Sequence, residues 1–226
     1  MQKLEISESA EQDFFDAGYY DRSLNDSIDK PVYKVVKRLF DIVASMGALI
    51  FLSPVLLIII IAIIIDDPGN PFFVQERIGK NSKSFKIYKF RSMCIDAEKQ
   101  LENLTEYNEC KEGHFKIEDD PRVTRVGKLL RKTSLDELPQ LINIIKGDMS
   151  IVGPRPFIPE EQRLLPDDRL CVKPGLSCYW QITDTTNMSS EEQLELDYKY
   201  IRERSVLTDF KIIVTTLAFV FKKKNK

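Results

Sequence analysis

Residues 42–65 read IVASMGALIFLSPVLLIIIIAIII, 24 residues without a charged side chain. A helix that rests one face on a soluble core carries polar residues at every turn. This run is apolar on all sides, and its length suits the roughly 20 residues that cross a bilayer core. It starts about 40 residues into the chain, behind an acidic stretch, and exceeds the apolar segment of a secretory signal. The expectation is a membrane element; a helix fully buried in a soluble core is the competing reading.

Ser53-Pro54 stands at the centre of the run. Proline removes a backbone donor and clashes with the preceding turn, and a neighbouring serine hydroxyl can bond the freed carbonyl. A break there leaves two arms of about 11 residues, each about 16 Å long and too short to cross alone. Lys30, Lys34, Lys37 and Arg38 precede the run; Asp66 and Asp67, then Arg77, Lys80, Lys83, Lys86, Lys89 and Arg91, follow it. With positive charge near both ends, the positive-inside rule selects no orientation for a span. A re-entrant dip with both ends cytosolic and a kinked single span both fit.

The whole-chain averages conceal this segment. The 226 residues are 30% charged, with net charge −2 and mean hydropathy −0.24, values of a mildly acidic soluble domain. No overall basic excess points to nucleic acid, and the charge is spread too widely for several spans. One histidine, His114, excludes a His-rich metal site and any mechanism needing two. Cys94, Cys110, Cys171 and Cys178 have no CxxC spacing, which argues against a zinc ribbon or thioredoxin-like motif; reduced thiols facing the cytosol are the default.

The chain divides into an acidic N-terminal extension (1–31), a membrane region (32–67) and a cytosolic domain with a basic C-terminus (68–226). The extension carries eight acidic residues against three basic ones and few apolar side chains, the composition of a solvated tail or a partner-binding arm. Phe72–Ile78 and Ser84–Phe90, separated by a Gly-Lys-Asn-Ser turn, read as a β-hairpin. Residues 92–112 read as a polar helix. Leu129 to Ile145 follow helical spacing with a break near Ser134. Gly153-Pro154-Arg155-Pro156 and Lys173-Pro174-Gly175 are loops. Residues 189–203 and 207–221 are helical, the latter ending in lysines suited to an anionic membrane surface or to a polar tail. The fold class is α+β, mainly α: a monotopic membrane protein with a small β-hairpin and a helical cytosolic domain.

Three groups could carry chemistry. Ser134-Leu135-Asp136-Glu137 has the spacing of a helix capping box. The same spacing places two carboxylates in a helix's first turn, where the dipole keeps them ionised; an ionised aspartate can attack phosphorus and a glutamate can hold Mg²⁺. Between its two prolines, Arg155 is restricted in backbone and suited to clamping phosphate. In Lys86–Arg91, alternation puts Lys89 on the face opposite Tyr88 and Phe90. Acid nucleophile, metal ligand and cationic clamps beside a membrane element suit phosphoryl transfer involving a lipid phosphate.

Taken together, these blocks resemble the small monotopic bacterial phosphoglycosyl transferases, the bacterial sugar transferase family. The resemblance runs over about residues 34–221. It is carried by Lys37-Arg38-Leu39-Phe40-Asp41, the apolar run with Ser53-Pro54, Gln75-Glu76-Arg77-Ile78-Gly79 and Phe85–Met93. It continues in Thr133–Leu141, in Lys146-Gly147-Asp148-Met149-Ser150-Ile151-Val152-Gly153-Pro154-Arg155-Pro156, and in Lys173-Pro174-Gly175-Leu176. The resemblance implies transfer of a sugar-1-phosphate from a UDP-sugar to polyprenyl (undecaprenyl) phosphate with release of UMP. That reaction starts assembly of an exopolysaccharide, an O-antigen or another glycoconjugate. It implies Mg²⁺ as cofactor and a two-step route through an aspartyl phosphosugar. By position, Asp136 is the nucleophile and Glu137 the metal ligand. Lys89, Arg131 and Arg155 contact phosphate, and Ser53-Pro54 is the membrane break, so the resemblance implies a re-entrant helix-break-helix that sets the site at the cytosolic face of the bacterial inner membrane. The expected partners are the UDP-sugar, polyprenyl phosphate and membrane lipids, with a homo-oligomer left open. One departure is Thr185, where many relatives carry an arginine.

Overall fold

The computed structural model describes residues 30–97, 120–183 and 189–223. The acidic extension up to residue 29, most of the helix expected over 92–112, His114 and Thr185 lie outside the described residues.

Helix α1 (Pro31–Asp66) opens on a proline, tolerated at a first helical position, and runs through Pro54 without ending. The two short arms expected from Ser53-Pro54 are therefore one element of 36 residues. The local chemistry explains its survival. Pro54 cannot donate to the carbonyl of Ile50, and the Ser53 hydroxyl donates to that carbonyl instead, at 2.8 Å. Among the described residues, α1 is the helix long and apolar enough to cross a membrane.

One face of α1 lies on the rest of the protein along its whole length. Near its start, Lys37 pairs with Asp209 at 2.8 Å. Arg38 donates to the carbonyls of Ile144 and Ile145 at 2.6 and 2.8 Å. Asp41, 2% exposed, accepts the Ile151 N–H at 3.0 Å. Further on, Ala48 and Leu49 pack against a cluster of Ile87, Leu141, Ile144 and Met149. Near its end, Ile59 and Ile63 pack with Phe90 and Leu130, and Asp66 accepts the Val126 N–H at 2.9 Å. The outward face carries Leu39, Val43, Ile50, Phe51, Ile58 and Ile65, all exposed. A stripe of that extent requires an apolar environment to cover it.

The hairpin forms over the expected residues: β1 (Phe72–Ile78) pairs antiparallel with β2 (Ser84–Phe90), Phe72 opposite Phe90 and Ile78 opposite Ser84. The turn places Asn81 and Ser82 at positive φ. Helices α2 (Arg125–Thr133) and α3 (Gln140–Lys146) follow, with the expected break near Ser134 between them. Asn143 in α3 is fully buried against the outer edge of β2. Its side-chain amide accepts the Tyr88 N–H at 3.0 Å and donates to the Lys86 carbonyl at 2.7 Å. One side chain thus supplies both bonds that a neighbouring strand would give, and satisfies a buried edge.

Adjoining the two segments read as loops are β3 (Ser150–Val152) and β4 (Gly175–Ser177), a short parallel pair that the reading did not anticipate. Three-residue strands of this kind leave no periodicity to read. Gly153 and Gly175 face each other so closely that a side chain on either would collide with the other's backbone. Helix α4 (Pro159–Gln162) is a single turn. Helix α5 (Ser190–Glu203) is opened by a capping box, with Ser189 accepting from Glu192 N–H at 3.2 Å and Glu192 accepting from Ser189 N–H at 2.9 Å. Helix α6 (Val206–Lys223) carries Asp209, which binds Tyr33, Lys37 and Tyr200. Val152, Leu194, Tyr198, Ile201 and Ile212 form the core under β3.

Candidate active site

Asp136 and Glu137 sit in a 3-10 turn, Leu135–Glu137, between α2 and α3. Leu135 and Leu138 pack into the cluster of Ile59, Ile63, Phe90 and Leu130 and fix the turn from its apolar side. Ser134 adopts the left-handed conformation, φ 57°, and its N–H bonds back to the Arg131 carbonyl at 3.3 Å. It therefore closes the helix that ends rather than capping one that begins, and its side chain makes no capping bond. The capping box expected from the spacing is absent because Glu137 has a stronger partner: its carboxylate accepts from Lys89 Nζ at 2.8 Å.

The electrostatics also differ from the expectation of a dipole-held carboxylate. Proline 139 separates the turn from α3, a helix of only seven residues. Burial pushes the Asp136 carboxyl above the usual aspartate range, and Glu137 adds to this; Lys89 and Arg131 pull the other way. Two cations, not a helix terminus, thus favour the ionised form.

Glu137 opens onto a cleft that Arg77, Lys89, Gln140, Arg155 and Gln181 also line. Arg155 projects from the loop after β3 with its guanidinium 4.9 Å from the centre of the Trp180 ring. Its backbone is held as well: the Arg155 carbonyl accepts from Arg169 at 2.7 Å, and the next carbonyl, Pro156, accepts from Arg77 at 3.1 Å. Arg169 is 1% exposed and is itself fixed by Asp197, at 2.6 and 3.0 Å, and by Gln162 at 2.9 Å.

The structure thus brings Glu137, Lys89 and Arg155 into one cleft, with Asp136 beside Glu137 in the same turn. Arg131 does not line the cleft; it is exposed, donates to the Ser92 hydroxyl at 2.9 Å and acts on Asp136 through its charge. Ser53 and Pro54 lie in α1 as described. Sequence reading missed Arg77, Gln140, Gln181 and the Trp180 support. Arg77 was recoverable from the hairpin pairing, which sets Arg77 opposite Phe85 and Lys89 opposite Phe73, so both cations share one sheet face.

No cluster of three or more His, Cys, Asp or Glu side chains forms among the described residues. Mg²⁺ does not need one, since it commonly takes one or two carboxylates plus substrate phosphates and keeps several waters. Adjacent Asp136 and Glu137 beside a cationic cleft fit such a site.

The family model described as bacterial sugar transferase matches residues 32–223. The chain is 42% identical over 190 residues to the galactosyl transferase CpsE of Streptococcus agalactiae, covering 82% of this chain and 42% of that protein. It is 41% identical over 198 residues to the UDP-glucose:undecaprenyl-phosphate glucose-1-phosphate transferase of Escherichia coli K12, covering 82% and 40%. It is 40% identical over 198 residues to the exopolysaccharide production protein ExoY of Sinorhizobium fredii, covering 84% and 88%. The chain therefore spans less than half the length of the first two relatives and most of the third. Helix α1 from its second residue, the carboxylate turn and the Arg155 loop all fall inside the matched region, and the chain belongs to the bacterial sugar transferase family.

Proposed function

We propose that the chain transfers a sugar-1-phosphate from a UDP-sugar to polyprenyl phosphate and releases UMP, as the first step in building a bacterial surface polysaccharide or glycoconjugate. The observation that carries this reading is the Asp136-Glu137 turn set beside a cleft that Lys89 and Arg155 make cationic. The name of the Escherichia coli relative describes the same class of reaction with glucose. Asp136 attacks the β-phosphorus, the bond from that phosphorus to the UMP oxygen breaks, and UMP leaves. The phosphate oxygen of the lipid then attacks the same phosphorus and frees the carboxylate. Lys89 and Arg155 bind the phosphate oxygens of the donor's diphosphate. Glu137 would hold Mg²⁺, whose charge offsets that of the diphosphate.

A UMP-release assay with undecaprenyl phosphate and a panel of UDP-sugars tests the reading. One donor is expected to release UMP, and EDTA is expected to stop the release until Mg²⁺ is restored. No release from any donor would count against the activity; release in EDTA would count against the metal.

For topology, the proposed arrangement is re-entrant, with α1 entering the cytosolic face of the inner membrane, bending at Ser53-Pro54, and keeping both ends on one side. Contacts from Lys37, Arg38 and Asp41 at one end and Ile63 and Asp66 at the other, all to the same domain, support it. In a variant without native cysteines, single cysteines at positions 34 and 70 should react with an impermeant reagent from the same side. Labelling from opposite sides would establish a span.

A further inference from the structure

Arg77 is the cation of the cleft with no role in the resemblance. It enters from the same hairpin face as Lys89, with Ile87 on the cleft wall between them. Phe85, its cross-strand partner, is four residues from Lys89 along β2, about 13 Å at the strand rise. Arg77 thus approaches from the end of the cleft away from Lys89 and Glu137. Its guanidinium is fixed from behind. Nη1 donates to the Pro156 carbonyl at 3.1 Å and Nη2 to Gln75 Oε1 at 2.6 Å, with Glu161 3.9 Å away.

Two features of this residue call for an anion. Its Nε is shielded from solvent and has no hydrogen-bond partner, a costly state for a cationic donor. It also faces a like charge: burial and the neighbouring Arg155 together lower its pKa to about 10, against the milder opposing effect of Glu161 and Glu137. Two guanidiniums lining one cleft, each acting on the other through its charge, are suited to share a phosphate between them.

We propose that Arg77 is a nucleotide-binding residue that, with Arg155, holds the phosphate that stays on the departing nucleotide, while Lys89 serves the phosphorus under attack by Asp136. This rests on the reaction proposed above. It divides the cleft into a reacting end, at Asp136 and Lys89, and a leaving-group end, at Arg77.

The chain has one tryptophan, Trp180, stacked on Arg155. Its fluorescence therefore reports nucleotide arriving in the cleft of the full-length protein in detergent with Mg²⁺. UMP should bind the wild type. Arg77→Lys keeps the charge and loses the fork, and should weaken UMP binding about tenfold and raise KM for the UDP-sugar, leaving KM for undecaprenyl phosphate within about twofold. Arg77→Gln, which keeps a donor for the Pro156 carbonyl, should weaken UMP binding further. Unchanged UMP binding in both variants would overturn the assignment. So would equal increases in both KM values, because a loosened Arg155 loop would harm both substrates. A wild type that binds no UMP and releases none would overturn the proposed reaction itself.

Discussion

Asp136→Asn is expected to lower sugar-phosphate transfer by more than about 10³-fold, the scale on which loss of a covalent nucleophile is felt, without lowering thermal stability at neutral pH. The loss follows from chemistry, because a carboxamide oxygen is a poor nucleophile toward phosphorus. The stability follows from the sign of the carboxyl shift. Burial raises the Asp136 pKa in the folded protein above its unfolded value. The folded state therefore binds this proton more readily, and ionisation costs stability at pH values above the unfolded pKa, fully so above the folded one. Asparagine removes that cost while keeping the shape. Melting should be at least as high as wild type at pH 7, and the difference should shrink at pH values below the usual aspartate range. UMP release and thermal melts of the two proteins check these points together. Full turnover in the variant would remove Asp136 from the reaction; a large drop in its melting temperature at pH 7 would contradict the electrostatic assignment.

The second large effect is expected away from the cleft. Arg169→Met should cost about 3–5 kcal/mol of stability, the usual penalty for breaking a buried ion pair from one side. Both partners are almost fully enclosed, with side chains 1% and 4% exposed. Methionine fills much of the space beside Phe157, over whose ring the guanidinium lies at 4.5 Å, but leaves Asp197 and Gln162 without their donor. The midpoint of denaturant unfolding measures the loss. Adding Asp197→Leu should recover a large part of it, since the uncompensated carboxylate is then gone. A loss below about 1 kcal/mol in the single variant would mean that water or another cation reaches Asp197. Transfer should fall as well, because the same guanidinium holds the Arg155 carbonyl.

Much of this arrangement can be read from residues alone, and the rest fails for definable reasons. The hairpin is legible because aromatic and β-branched residues flank a turn, and its pairing falls on the expected residues. The helices at 189–203 and 207–221 are legible from their periodicity. The three-residue strands β3 and β4 are not, because their partner lies some 25 residues away in sequence and too few positions alternate. Ser134 misleads since the same Ser-x-x-Glu spacing describes a capping box and a left-handed helix end; only the position of Lys89 separates them. Pro54 does not end the helix, because the Ser53 hydroxyl reaches the freed carbonyl. Arg169 and Asp197, 28 residues apart, carry no local signal that they meet.

The catalytic turn is joined to the membrane element from both sides. Asp66, the last residue of α1, holds the start of α2, and Arg38, near its beginning, holds the end of α3. The turn bearing Asp136 is the link between those two helices, so the three helices form a closed truss with the nucleophile at one joint. With α1 in the membrane as proposed, the turn's height above the lipid is set by these contacts of the folded protein. In the proposed reaction, a lipid phosphate diffusing in the plane of the bilayer would meet the carboxylate at a constant level, and the search for it would be reduced from three dimensions to two.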